Sequence, residues 1–250
     1  MNQVKYRLAK LVASAQRTKP SYRIHRRVLM YHSISNHKQS GKDTYTLSQQ
    51  YFARHVELLH QLHKTENSKI VKLDSVDSSG ITITFDDGYR DTLTIAAQIL
   101  SEKSLPFTVF VSSANITSGD SKFLSRQELI ELSKTSGVTI GSHGHAHTHL
   151  GELSPSEVFS DLQHSKDWLE QVIQLPVTTL SYPHGSYNSE VLRIAAEIGF
   201  EYAATSKWGV YEFGTQKLEI PRIDIWSNDD RRGLEQKLSG KWDWLKRFIG

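Results

Sequence analysis

The chain has 250 residues, a formal net charge of +3 and no cysteine. A chain of that length can bury a full core without staples, and the missing thiols exclude a disulfide framework and any thiolate metal site. The mild positive balance gives no reason to expect a nucleic-acid partner, and no apolar run approaches the ~20 residues of a membrane span.

In chain order, the first element is a basic amphipathic segment. Residues 1–42 contain no Asp or Glu. Helical spacing in VKYRLAKLVASAQRTK puts Val4, Leu8, Leu11, Val12 and Ala15 on one face, with Lys5, Arg7, Lys10, Ser14 and Arg17 largely on the rest. Two expectations stand for it: the helix packs on the domain, or residues 1–20 make a peripheral contact with a membrane. The stretch is too interrupted by charge for a secretory signal. The chain is therefore expected in the cytoplasm, on the inner face of the membrane if the interfacial reading holds. The C-terminal KWDWLKRFIG, with Trp242, Trp244, Leu245, Phe248 and Ile249, offers a second contact of the same kind.

β-rich apolar runs then recur: RVLMY (27–31), ITITF (81–85), FTVFV (107–111), VTIGS (138–142), TTLSY (178–182), YAATS (202–206) and RIDIW (222–226). Helical patterns separate most of them. After Asp91, positions Leu93, Ala96, Ala97 and Leu100 follow helical spacing. Ser125 and Glu128 form a capping box, with Leu124 and Leu129 as its staple. Ser154, Pro155 and Glu157 repeat the device. Asn188 caps a helix that stops at Gly199. Residues 64–80 read as a loose polar stretch. Strand and helix in alternation predict a parallel sheet or barrel.

The polar clusters share one kind of place. His32 follows RVLMY, Asp86 and Asp87 follow ITITF, His143 follows VTIGS, and Pro183, His184 and Gly185 follow TTLSY. Parallel α/β folds carry their chemistry at the C-terminal strand ends. Four strands thus deliver polar groups to one rim.

In GSHGHAHTHL, His143, His145, His147 and His149 alternate. Such a run is a solvated loop or a metal site. Imidazole nitrogen with a carboxylate suits a borderline divalent ion such as zinc, and His143 and His147 can face one point. Three protein ligands leave positions open, which is the catalytic pattern. The aspartate pair fits the same reading. Two bare neighbouring carboxylates repel, whereas a cation neutralises one and leaves the other free to take a proton from water. A helix cap with a turn explains one Asp of DDG, not both.

TFDDGY, SHGHAH and YPHGSYN, in that order, resemble the polysaccharide deacetylase family, the NodB-homology domain of carbohydrate esterase family four. The resemblance runs from VLMYHSI to GKWDWL. It implies an α/β fold, a distorted (β/α) barrel of about seven strands in a single domain. The catalytic domain would span 27–250, after a basic segment at 1–26. It also implies a metal-dependent hydrolase acting on an amino-sugar glycan. Asp86 matches the general base. Asp87, His143 and His147 match the metal ligands, the metal being zinc, with cobalt or nickel as alternatives. His145 and His149 have no counterpart.

The chain also departs from the pattern. No His follows His184, so the C-terminal general acid of many members is missing. LMYHSI resembles the permuted poly-N-acetylglucosamine deacetylases, in which an N-terminal His takes that place; His32 is the corresponding residue. The third motif usually opens with an Arg that orients the base. Here Ser181 stands there, and Arg222 is expected to replace it, with Asp224 and Trp226 near. The Tyr182, Pro183, His184, Gly185 turn is expected to hold the substrate oxyanion. The activity implied is removal of an N-acyl group, first of all N-acetyl, from a polysaccharide or lipid-linked amino sugar. A deformylase on a lipid-linked amino sugar and a non-catalytic carbohydrate-binding relative are the alternatives.

Overall fold

The structure, a computed structural model, describes residues 3–15, 21–23, 25–36, 43–65, 69–212 and 216–247. Seven parallel strands close a barrel: β1 (Arg26–Tyr31), β4 (Gly80–Phe85), β5 (Phe107–Val111), β6 (Val138–Ser142), β7 (Thr179–Ser181), β8 (Tyr202–Trp208) and β9 (Ile220–Asp224). Leu29 opposite Ile223 and Met30 opposite Asp224 make the closure. Two short strands, β2 (Ser33–Ser35) and β3 (Thr46–Ser48), pair separately beyond β1. All seven expected runs are barrel strands. The last lies earlier than RIDIW suggested, which puts Asp224 at a strand end.

The alternation of ITITF reflects two kinds of burial. Ile81, Ile83 and Phe85 join the apolar layer under the helices. Thr84 turns into the barrel, where its Oγ1 lies 3.2 Å from Arg222 Nη1. A side-chain period of two then sends Asp86 inward as well. Lower in the barrel, Val28, Phe110, Ala204 and Ile220 form a small apolar plug with Leu73, Tyr202 and Tyr211. Gly141 is required beside it: a Cβ there would sit 2.5 Å from Thr179 Oγ1 and 2.6 Å from the Phe110 ring. The barrel is thus apolar below and polar at its C-terminal mouth.

The helices are α1 (Gln3–Ala15), α2 (Gln49–His63), α3 (Gln98–Glu102), α4 (Ser113–Thr117), α5 (Arg126–Ser133), α6 (Pro155–Ile173), α7 (Ser189–Ile198) and α8 (Arg231–Leu238). Both capping boxes form. Asn188 accepts from the amides of Glu190 and Val191, and Gly199 closes α7 at φ 95°. The pattern after Asp91 is a π-helical stretch, Thr92–Ala97, running into α3. α2 and α8 were not foreseen. α2 is capped by Ser48 and buries Phe52, Val56 and Leu59. α8 is capped by Asp230 and shows only Leu234 and Leu238 as apolar markers.

α1 docks on the domain through Tyr6, Ala9 and Ala13, which are buried. The Tyr6 ring meets Trp226 and Trp242, and its hydroxyl donates to Asp229 Oδ1 at 2.8 Å. Trp242 and Leu245 are themselves buried, so the outward contact expected of the C-terminal segment is not open to them. Phe248 and Ile249 lie outside the described residues. Among the described residues, no helix is long and apolar enough to cross a membrane.

His55, on α2, is fully buried, with Nδ1 3.1 Å from the Tyr31 hydroxyl. Burial holds its imidazole down to about 4. The neutral form is therefore favoured in the folded state, and stability is lost as pH falls below ~6.5, the unfolded value. The loss is expected to reach about 3 kcal/mol near the folded value. Urea melts from neutral to acid pH should show it, and His55→Gln should flatten that slope. An unchanged slope would assign acid sensitivity to other groups.

Candidate active site

The strand register assembles the mouth. Tyr31 pairs with Phe85, so His32 and Asp86 leave the barrel side by side. Val111 pairs with Ser142, and Ser142 with Leu180, bringing His143 and Ser181 together. A cleft of about 480 Å³ opens there. Its lining includes His32, Asp86, Asp87, His143, His147, Tyr182, His184 and Asp224.

Asp86 is 2% exposed. Arg222 grips it with both nitrogens, Nη1 to Oδ1 and Nη2 to Oδ2, each at 2.7 Å. Ser181 Oγ donates to Oδ2 at 3.1 Å and accepts from Arg222 Nη2 at 2.8 Å. Burial would raise this carboxyl, but the Arg222 and His143 charges hold it below its ordinary value. Arg222 thus reaches Asp86 from β9, and Ser181 bridges the two.

Asp87 points the other way. Its Oδ1 lies 3.0 Å from His147 Nε2 and 3.3 Å from His143 Nε2. Burial opposes its ionisation, yet the hydrogen bonds to His143 and His147 carry the carboxyl well below the usual range. His143 Nδ1 donates to the Ser181 carbonyl at 2.7 Å, which fixes the ring with Nε2 toward Asp87; Nε2 carries the proton shared with Asp87 here and is the nitrogen that would turn its lone pair to an ion. The ligating atoms of Asp87, His143 and His147 lie within 4.8 Å of one another. Two nitrogens and one oxygen converging at that spacing, with one imidazole already oriented through its far nitrogen, fit a divalent ion.

The backbone here is strained in a patterned way. Asp87, His147 and His184 are all left-handed, at φ 73°, 54° and 56°. Such conformations cost about 1–3 kcal/mol each and gather where surrounding structure holds a site in shape. Asp161 provides part of that hold. From α6, its two oxygens accept from the amides of His145 and Ala146, both at 2.8 Å. Its signal in the sequence was a carboxylate set among Val158, Leu162, Ser165 and Leu169 on a buried helix face. Tyr45, Tyr89 and Ser206, which also line the cleft, had no comparable signal.

The His32 ring lies 4.6 Å from that of Tyr45 at a tilt of 37°, and its Nδ1 is buried without a hydrogen-bond partner among the described residues. Ser33 donates to Asp91 at 2.5 Å and pins the turn after it. Asp224 is 7% exposed, and burial raises its carboxyl against the pull of Lys237 and His32. Trp226, expected near Arg222 in a supporting place, is buried. Its ring lies in a buried aromatic cluster with Tyr6, Trp208 and Trp242, and Lys237 Nζ sits 3.7 Å from its centroid. Its ring supports the rim from below rather than lining the cleft. His184 lines the cleft, and the Tyr182, Gly185 and Ser186 amides donate within the protein. Pro183 has no N–H, so the His184 amide is the donor left in that turn among the described hydrogen bonds. His145 pairs with His164, and His149 stacks on His184, so neither joins the Asp87 cluster.

A closed parallel barrel with an Asp-His-His cluster at its mouth defines the class, and comparison gives the family. The sequence pattern of the polysaccharide deacetylases matches residues 74–203, and the chain belongs to that family. The Bacillus subtilis (strain 168) protein YxkH, whose name places it among the polysaccharide deacetylases, is 31% identical over 204 residues, covering 79% of this chain and 70% of that one. A poly-beta-1,6-N-acetyl-D-glucosamine N-deacetylase of Staphylococcus aureus (strain MRSA252) is 25% identical over 176 residues, covering 65% and 58%. The Streptococcus pyogenes deacetylase PplD, solved with acetate, shares the fold at a TM-score of 0.75 and 21% identity, over 86% of this chain and 98% of that one.

Proposed function

We propose that this chain is a divalent-metal-dependent N-deacetylase of amino sugars within a polysaccharide or a lipid-linked glycan. The observation that carries the reading is the opposite treatment of two neighbouring carboxylates. Asp86 is clamped by an arginine, while Asp87 faces two imidazoles. A structural pair would not need such separate environments, whereas a base beside a ligand does.

Asp87, His143 and His147 would hold the ion, and zinc is the first choice for that donor set. When bound it would supply Lewis acidity toward the acyl oxygen and lower the pKa of water toward ~7. Asp86, kept ionised by Arg222, takes the proton of the attacking water. The His184 amide, left unpaired in the turn among the described hydrogen bonds, is assigned the oxyanion that develops on the acyl oxygen. His32 gives a proton to the amine as the C–N bond breaks. The products are a free amino sugar and acetate.

The test is release of primary amine and acetate from N-acetylglucosamine oligomers, β-1,6- and β-1,4-linked, with N-formyl analogues alongside. His32→Ala should lower kcat by about 10²-fold or more with metal content unchanged, and the alkaline limb of the pH–rate profile should flatten. An unaltered profile would return His32 to a structural role. Carbohydrate binding without amine release, with zinc, cobalt or nickel supplied, would make the chain a binding relative.

A further inference from the structure

Exposed large apolar side chains gather on one element. Leu8, Leu11 and Val12 on α1 are 59%, 69% and 51% exposed, and Ala15 extends their face. The helix is firmly seated all the same. Its inner face is buried, Lys10 Nζ is 2.7 Å from Asp230 Oδ1, and Gln236 Nε2 donates to Ser14 Oγ at 2.8 Å. The orientation is the reverse of ordinary amphipathic packing: small residues and polar pins face the protein, and the aliphatic ridge faces out.

The surroundings are basic. α1 contains no acidic residue, and the sequence has none through position 42. Beside the ridge, Arg232 Nη2 reaches Ser14 Oγ at 3.3 Å, and Arg54 and Arg231 lie in the same groove. The nearby acids, Asp230 and Glu235, are paired with Lys10 and Arg231. A second copy of this face would bring like charges together, whereas anionic headgroups meet it with opposite charge.

We propose that the Leu8, Leu11, Val12 ridge seats α1 in the interface of a bilayer that carries anionic phospholipids. The aliphatic side chains enter the boundary between headgroups and acyl chains, and the flanking cations meet phosphate. Tyr6, on the inner face, is bonded to Asp229 shortly after the Asp224 strand end, so the seated helix is tied to the segment that follows β9.

The full-length protein would be floated with vesicles of phosphatidylglycerol and phosphatidylcholine, and with phosphatidylcholine alone. Co-flotation with the anionic vesicles is expected. The triple variant Leu8→Gln, Leu11→Gln, Val12→Gln, whose new residues keep good helix propensity, should bind them about tenfold or more weakly. Its circular dichroism and its amine release from a soluble oligosaccharide should match the wild type. Equal binding by the variant, or no binding by the wild type, overturns the proposal. So does light scattering that shows a wild-type dimer dissolved by the variant, which would make the ridge a contact between copies.

Discussion

Asp86→Asn is expected to lower turnover by about 10²–10⁴-fold, the usual cost of removing a positioned base. The substitution keeps shape and one acceptor oxygen, so the cleft should stay open. It cannot keep the charge. Arg222 is 1% exposed and would face a neutral amide, and breaking a buried pair on one side costs about 3–5 kcal/mol. The thermal midpoint should therefore fall, and rates must be compared at a temperature where both proteins are folded. Metal content separates the roles, because Asp87, not Asp86, completes the three-ligand cluster with His143 and His147. A variant with full metal and a rate within tenfold of wild type would move the base role to another group.

The sequence disclosed the parts of this fold that repeat with a period. ITITF, FTVFV and VTIGS show strands buried on both faces, and the residues just beyond them show the rim. Capping boxes marked the starts of α5 and α6 because a Ser and a Glu three apart are a local device. What stayed hidden depends on partners distant in the chain. α8 carries a fully buried lysine, Lys237, whose Nζ bonds Asp229 Oδ2 at 2.5 Å and sits among three tryptophans. No local pattern announces a lysine as core. Ser181 looked like a gap in a motif, yet it completes the Asp86–Arg222 clamp because β9 lies across the barrel mouth from β7 with only β8 between. For α1 the two expectations were posed as alternatives, and the helix packs on the domain through one face while Leu8, Leu11 and Val12 of the predicted apolar face stay exposed.

Removing the ligands is expected to have the other large effect. The wild-type chain should hold about one divalent ion, and Asp87→Ala, His143→Ala and His147→Ala should each lose it together with activity. His143→Ala should be the most damaging to the fold as well, because the ring is 3% exposed and its Nδ1 serves the Ser181 carbonyl, which also shapes the clamp on Asp86. His147 is less buried, so its variant isolates metal loss from unfolding. Thermal denaturation gives a readout independent of turnover. Zinc at 100 times its dissociation constant should stabilise the wild type by about 2.7 kcal/mol and leave His147→Ala nearly unmoved. A chelator should abolish that increment, and added zinc should restore it. Equal zinc-induced shifts in the wild type and in a His143→Ala, His147→Ala double variant would place the ion elsewhere, and the cluster at the barrel mouth would then be only a hydrogen-bonded pair of histidines around an aspartate.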